Sequence, residues 1–215
     1  CEIYTDVNGV YSADPRICPK AKKIDQLSFD EMLEIAATGG RVLALRSVEF
    51  ARNFSVPIHV RSSFSPEIGT WIYDQETDME DVIVSAISHD TSEVKFTLEN
   101  VPDKPGTAAK IFRALSDEHL NIDMIVQNVS SSGVTDISFT VPADEKMHAI
   151  NTLEDISFDI SSLEYQCNDN VGRVSVVGAG MKSNPGVAAQ MFETLAKENI
   201  NIQMISTSTI RISCV

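Results

Sequence analysis

The sequence is short of several things, and each shortage closes off a class of function. It has no apolar run near the roughly 20 residues that a membrane-spanning helix needs, and its first residues lack the basic-then-apolar layout of a secretion signal. A cytosolic protein is the expectation. Cysteine is sparse: Cys1, Cys18, Cys167 and Cys214 form no CxxC pair, so they read as small apolar residues and not as a disulfide framework or a zinc site. His59, His89, His119 and His148 stand apart from one another and from the cysteines, so no metal site is expected. Positive charge is also scarce. With 17 Lys and Arg against 31 Asp and Glu, the formal charge is -14, and a surface of that sign repels nucleic acid and anionic membranes. No dinucleotide fingerprint and no Walker loop is present.

What is there is the composition of a folded protein. Hydrophobic residues make up 43% of the 215 positions and charged residues 22%, enough for one large or two to three small domains.

The most informative feature is an internal repeat. Residues 94–125, VKFTLENVPDKPGTAAKIFRALSDEHLNIDMI, align without gaps to 174–205, VSVVGAGMKSNPGVAAQMFETLAKENINIQMI. Pro105 matches Pro185, Gly106 matches Gly186, Phe112 matches Phe192, Leu115 matches Leu195 and Met124 matches Met204. Each copy begins with an apolar strand that runs into a Pro-Gly turn. Apolar residues then recur at helical spacing, in the first copy at Ala108, Ile111, Phe112 and Leu115. The helix ends near Glu118 or Glu198, and alternation through Ile122, Met124 and Val126 predicts a half-buried strand.

The first copy continues with a turn over 130–133, a strand over 136–141, a helix over 146–153 and a strand over 162–166. The order βαββαβ defines a ferredoxin-like module, an α+β fold with helices on one face of an antiparallel sheet. The second copy stops after its third strand. The run reaching Val215 reads as an unfinished strand, and the expectation is that the chain is a fragment.

Ahead of the repeat the pattern is of another kind. A turn-rich stretch, TDVNGVYSADPR, is followed by a helix over 28–37 that opens on a Ser28/Glu31 capping box. A second helix is expected over 42–53, a buried strand over 56–62, and an acidic linker over 76–81.

TDVNGVYSADPR, LRSVEFARNFSVPIHVRSSFS, VPDKPGTAAKIFRAL, NIDMIVQNVS and GAGMKSNPGVAA with NINIQMISTS together resemble the aspartate kinases of the lysine- and threonine-regulated bacterial type. The resemblance runs along essentially the whole chain. It implies the end of an α/β amino-acid-kinase domain over 1–75, one ACT module over 91–166, and a second, truncated ACT module made of 82–90 and 167–215. It further implies ATP-dependent phosphorylation of the aspartate side chain, the first step toward lysine, threonine and methionine, with ATP accompanied by Mg2+. The family's KxGG and RGGSD-like segments have no counterpart here, so the chain alone is expected to be inactive, with no catalytic residue of its own.

The same resemblance assigns residues. Thr5, Asp6, Tyr11, Ser12, Ala13, Asp14, Pro15 and Arg16 match the family's ATP-binding positions. Tyr11 is suited to flank a base and Arg16 to neutralise phosphate. Without the resemblance the segment reads as a hairpin turn. Lys20, Lys22 and Lys23 read first as a solvated basic turn and second as phosphate contacts.

In the modules, a free amino acid needs donors for its carboxylate and an acceptor for its ammonium. A helix start supplies the donors, Gly106 allows close approach, and Asp103 is placed to meet the ammonium. The resemblance adds Ala108, Asn121, Ile122, Asp123 and Gln127 in the first module, and Val187, Ala188, Asn201, Ile202, Ser208 and Thr209 in the second. Ala188 stands where relatives often have Thr, Thr209 where they usually have Glu, and Ser183 where the first copy has Asp103, so the two sites are not equivalent. The competing reading of each Pro-Gly turn is a plain helix start.

Threonine and/or lysine as effectors, with threonine favoured, and a homo-oligomer formed through the ACT modules are the implied partners. The alternative is a non-catalytic regulatory subunit built of ACT modules, against which TDVNGVYSADPR speaks. Met79 is the internal methionine from which such a subunit would start.

Overall fold

The computed structural model describes residues 1–74, 83–128, 133–157 and 163–215. The linker expected over 76–81, with Met79, lies outside them, as do most of the expected turn over 130–133 and the start of the strand expected at 162. The chain divides into two compact units, Cys1–Asp90 with Arg173–Cys214, and Thr91–Gly172.

The first unit opens with β1 (Glu2–Thr5) and β2 (Gln26–Ser28), followed by α1 (Phe29–Ala37), α2 (Leu45–Asn53), β3 (Ile58–Ser62) and β4 (Thr70–Tyr73). The sheet runs β1-β3-β4-β2, with β1 parallel to β3, β3 antiparallel to β4 and β4 parallel to β2. The capping box forms as the spacing requires: the Glu31 N–H donates to the Ser28 hydroxyl at 3.2 Å, and the Ser28 N–H donates to the Glu31 carboxylate at 3.1 Å. Phe29, Met32 and Ile35 of α1 then meet Leu27, Val48, Ile58, Val60 and Ile72 in one core. The second helix starts at Leu45, not at Val42. Val42 and Leu43 pack into the core from ahead of the helix, and Ala44, at the cap, has extended backbone angles (φ -68, ψ 133), so the helix cannot begin before it.

Next in the chain is β5 (Ala86–Asp90). The second unit follows with β6 (Glu93–Pro102), α3 (Thr107–Asp117), β7 (Ile125–Gln127), β8 (Val134–Pro142), α4 (Lys146–Ser157) and β9 (Glu164–Asn168). This is the expected βαββαβ order, with the sheet arranged β7-β8-β6-β9. Phe96, Leu98, Ile111, Leu115, Phe139 and Leu153 form its core. The strand expected from Ile122 begins only at Ile125. Met124 is buried as its place in the alternation requires, but its N–H goes to the Thr140 hydroxyl at 3.4 Å. A side chain thus takes the donor that a ladder would have used.

The chain then returns to the first unit with β10 (Arg173–Val177), α5 (Val187–Lys197), β11 (Ile205–Thr207) and β12 (Arg211–Cys214). This sheet runs β11-β12-β10-β5. Beside β10, the antiparallel strand β5 holds the place that β9 holds beside β6. Both repeat helices end alike: His119 and Asn199 take left-handed backbone angles, and the N–H groups of Leu120 and Ile200 close back on Leu115 and Leu195.

Candidate functional site

The segment matched to nucleotide binding leaves the carboxyl end of β1. Ser63 N–H donates to the Thr5 carbonyl at 2.8 Å, so the ends of the parallel strands β1 and β3 stay together. Thr5 turns the chain by bonding through its hydroxyl to the backbone of Val7. Farther on, the Ser12 N–H bonds Lys22 O at 2.8 Å and the Lys22 N–H returns to the Ser12 hydroxyl at 3.0 Å, while Tyr11 bridges to Lys23. Ala13, Asp14, Pro15 and Arg16 lie on the loop this pairing closes.

Asp14 accepts from Arg16 through Nε at 3.0 Å and Nη2 at 2.7 Å, and also from its backbone N–H at 2.9 Å. These bonds draw its carboxyl down to about 2. Asp6 acts on the same guanidinium through charge and, with the Asp14 bonds, helps hold the Arg16 pKa up. The structure therefore brings Asp6, Asp14 and Arg16 together, with the guanidinium largely exposed. Of the three lysines nearby, Lys23 is engaged, with the Ile68 carbonyl and with Asp25 at 3.4 Å.

Thr70, which sequence reasoning did not single out, anchors this loop. Its fully buried hydroxyl donates to Ile24 O at 2.6 Å and accepts the Val10 N–H at 2.8 Å. Thr70→Val keeps the shape and removes both bonds, and is expected to cost about 1–3 kcal/mol. Chemical denaturation, with the midpoint compared to the parent chain, checks it.

The second unit contains a cleft of about 330 Å3 at the start of α3. A bulge between Leu98 and Val101, with Asn100 in a left-handed conformation, bends the end of β6 toward it. Gly106 then enters α3 at φ 95, where a side chain would be strained, and open space lies where its Cβ would point. Thr107 N–H is satisfied by Lys104 O at 3.2 Å, whereas Ala108 and Ala109 are first-turn residues whose N–H groups have no acceptor within the helix.

Asp103, Gly106, Ala108 and Gln127 all line this cleft. So do Lys104, Thr135 and Ile137, which the sequence reading missed. Lys104 was in view as the neighbour of Asp103, but Thr135 and Ile137 enter through the pairing of β8 with β6, which no local pattern reveals. The arrangement offers helix-end donors and an ammonium for an anion, a carboxylate for a cation, and an apolar wall at Val101 and Ile137. That is the complement of a small zwitterion.

Asn121, Ile122 and Asp123 are not part of the cleft. They follow the far end of the 11-residue α3, about 16 Å from its start at 1.5 Å per residue. There Asn121 N–H bonds Glu145 at 3.1 Å, Asp123 N–H bonds Thr140 O at 3.2 Å, and Ile122 packs against the core.

The second module is built differently at the matching place. β10 ends at Val177, and a 3-10 turn over Ala179–Ser183 replaces the bulged strand end. Gly186 is right-handed, φ -84, where Gly106 is left-handed. Val187, Ala188 and Ile202 pack on the module's own core, and Asn201 and Thr209 are exposed. The Ser208 hydroxyl donates to Glu34 of α1 at 2.9 Å.

Two family models match the chain: the amino acid kinase family over residues 1–62, and the ACT domain over 99–156 and 174–215. Fold and match together define the class, a segment of the amino acid kinase family joined to a pair of ACT modules. An aspartokinase of Corynebacterium efficiens is 52% identical over 99% of this chain and 52% of its own length. The crystal structure of aspartate kinase from Synechocystis is 38% identical, with a TM-score of 0.61 over 100% of this chain and 39% of that one. The regulatory subunit of aspartate kinase from Thermus thermophilus, in its ligand-free form, is 36% identical, with a TM-score of 0.59 over 62% of this chain and 87% of its own. The chain belongs to the aspartate kinase family. It spans about half the length of the curated relatives it matches.

Proposed function

We propose that the complete protein transfers a phosphoryl group from ATP, carried with Mg2+, to the side-chain carboxylate of aspartate, and that its ACT modules make this activity answer to threonine, with lysine as co-effector. The observation that carries the regulatory half is the cleft at the start of α3, whose lining includes both Asp103 and the first residues of the helix, Thr107 and Ala108. A threonine would place its carboxylate at the N–H groups of Ala108 and Ala109 beside Lys104, and its ammonium at Asp103. Its methyl and hydroxyl would meet Ile137 and Thr135. For the catalytic half, residues 5–16 supply a flank for the nucleotide: Tyr11 for the base and Arg16 for phosphate charge, with Asp14 keeping that guanidinium oriented.

Regulation then requires a coupling free energy of about 1–3 kcal/mol between effector and kinase states. The protein acts in the cytoplasm, as an oligomer of identical chains associated through their ACT modules. A separate regulatory subunit is the second reading, favoured by the extent of the match to the Thermus protein. The kinase-family match over 1–62 favours the enzyme.

Asp103→Asn in the complete enzyme tests the sensor. It keeps shape and removes the charge opposite the ammonium, a charge-assisted bond worth about 1.5–3 kcal/mol, so half-inhibition by threonine should need at least roughly tenfold more of it. An inhibition curve superimposable on that of the parent enzyme would sink the assignment.

A further inference from the structure

We propose that Glu31 and Glu34, three positions apart on α1, are the link through which the second ACT module imposes its state on the kinase part. This rests on the regulatory reading above and names residues that the reading does not.

A capping box uses one carboxylate oxygen. In Glu31 that is Oε2, which accepts from the Ser28 N–H and from the Ser28 hydroxyl at 2.9 Å. The other oxygen, Oε1, accepts from the Ser85 hydroxyl and from the Ala179 N–H at 3.3 Å, both belonging to the second module. The side chain is nearly buried at 6% exposure, so it cannot release these donors to water without exposing or stranding them. Glu34, almost a turn further, accepts from the Ser208 hydroxyl at 2.9 Å and pairs with Arg211 at 3.1 Å. The module also attends to the end of α1. The helix has no basic residue in its last turn, and Arg173 of β10, 3% exposed, donates to the Ala37 carbonyl at 3.3 Å.

The internal repeat gives these contacts their meaning. Ala179 opens the 3-10 turn that stands where the first module has the bulged end of β6 leading to Asp103. Ser208 corresponds to Asn128, the residue after Gln127. The two segments that flank the amino-acid cleft in one module are the two that carboxylates of α1 grip in the other. Two attachments along one helix transmit rotation as well as translation, and α1 passes either on to Phe29, Met32 and Ile35 in the kinase core, where Ala86 and Val177 of the module already pack.

The test uses the complete enzyme carrying Glu31→Gln or Glu34→Gln. At position 31 either orientation of the amide points an NH2 at a backbone N–H, of Ser28 or of Ala179. Calorimetry measures the affinity for threonine, lysine and both together, with and without ADP plus aspartate. In the parent enzyme the two affinities should differ by roughly five- to a hundredfold. In the variants that ratio should fall below about twofold, with turnover in the absence of effector kept. A merely structural role would lower the melting temperature and leave the ratio alone, so a folded variant with the parent's ratio overturns the proposal. Should Glu31→Gln not fold, the partly exposed Glu34→Gln decides by the same ratio. A parent enzyme that binds neither amino acid would overturn the sensor reading, and this proposal with it, and the parent control alone would reveal it.

Discussion

Replacing Phe139 by alanine is expected to destabilise the first ACT module by about 3–5 kcal/mol, the usual cost of removing a buried aromatic ring. Phe139 is fully buried at the centre of β8. Its ring stacks on Phe96 at 5.6 Å and meets the edge of Phe112 at 5.7 Å, so the cavity is bordered by two further rings that are themselves fixed by strand and helix. A whole domain is stable by only about 5–15 kcal/mol, so this loss should be plain in denaturant titration of the chain. The effect should also reach the cleft, because Thr135 and Ile137 lie on the same strand. Amino-acid binding should weaken together with stability. A midpoint within error of the parent would mean that the aromatic cluster does not hold the module together.

Gly69→Ala should be as damaging in the other unit, for a different reason. A Cβ at Gly69 would lie 1.6 Å from the carbonyl oxygen of Val60 and 2.7 Å from its carbon. These are backbone atoms of β3 and cannot step aside as a side-chain tip would. The clash falls where Val60 is paired with Thr70, so relief requires parting β3 from β4 and releasing the Thr70 hydroxyl from the loop at Val10. A cost above about 4 kcal/mol, at the rare end of single substitutions, is expected. Soluble yield and circular dichroism of the chain would report it, and a folded, undisturbed Gly69→Ala chain would contradict this geometry.

The two substitutions mark what could and could not be read from the residues. The repeat announced both βαβ copies because each must bury the same face, and equivalent apolar positions such as Ile111 and Met191 answer to that demand. Ser28 and Glu31 announced α1 because a capping box is a local bargain between neighbours. Gly69, by contrast, carries no signal in its own neighbourhood; its necessity comes from a strand that pairs with it across the sheet. The same is true of the cleft. Asp103 and Gly106 lie close together in sequence, and Ala108 and Gln127 came only from family resemblance, whereas Thr135 and Ile137 arrive by strand pairing. Residues 121–124 alternate like a strand because Ile122 and Met124 are both drawn inward, yet side-chain and irregular bonds occupy their backbone. Periodicity reports burial and is silent about which partner takes the hydrogen bonds.

The placement of β5 has a consequence for how the polypeptide is made. Ala86 pairs with Val177, about 90 residues later, so a nascent chain emerging from the ribosome carries one strand of the second module while the entire first module is being synthesised. Until its mate arrives, that strand is an open edge with an exposed Ile87. Closing so long a loop is slow. A chain that ends at Asp90 lacks the mate for good, and a chain that begins after Asp90 leaves β10 with the bare edge instead, so either cut should favour clumping of chains over solubility.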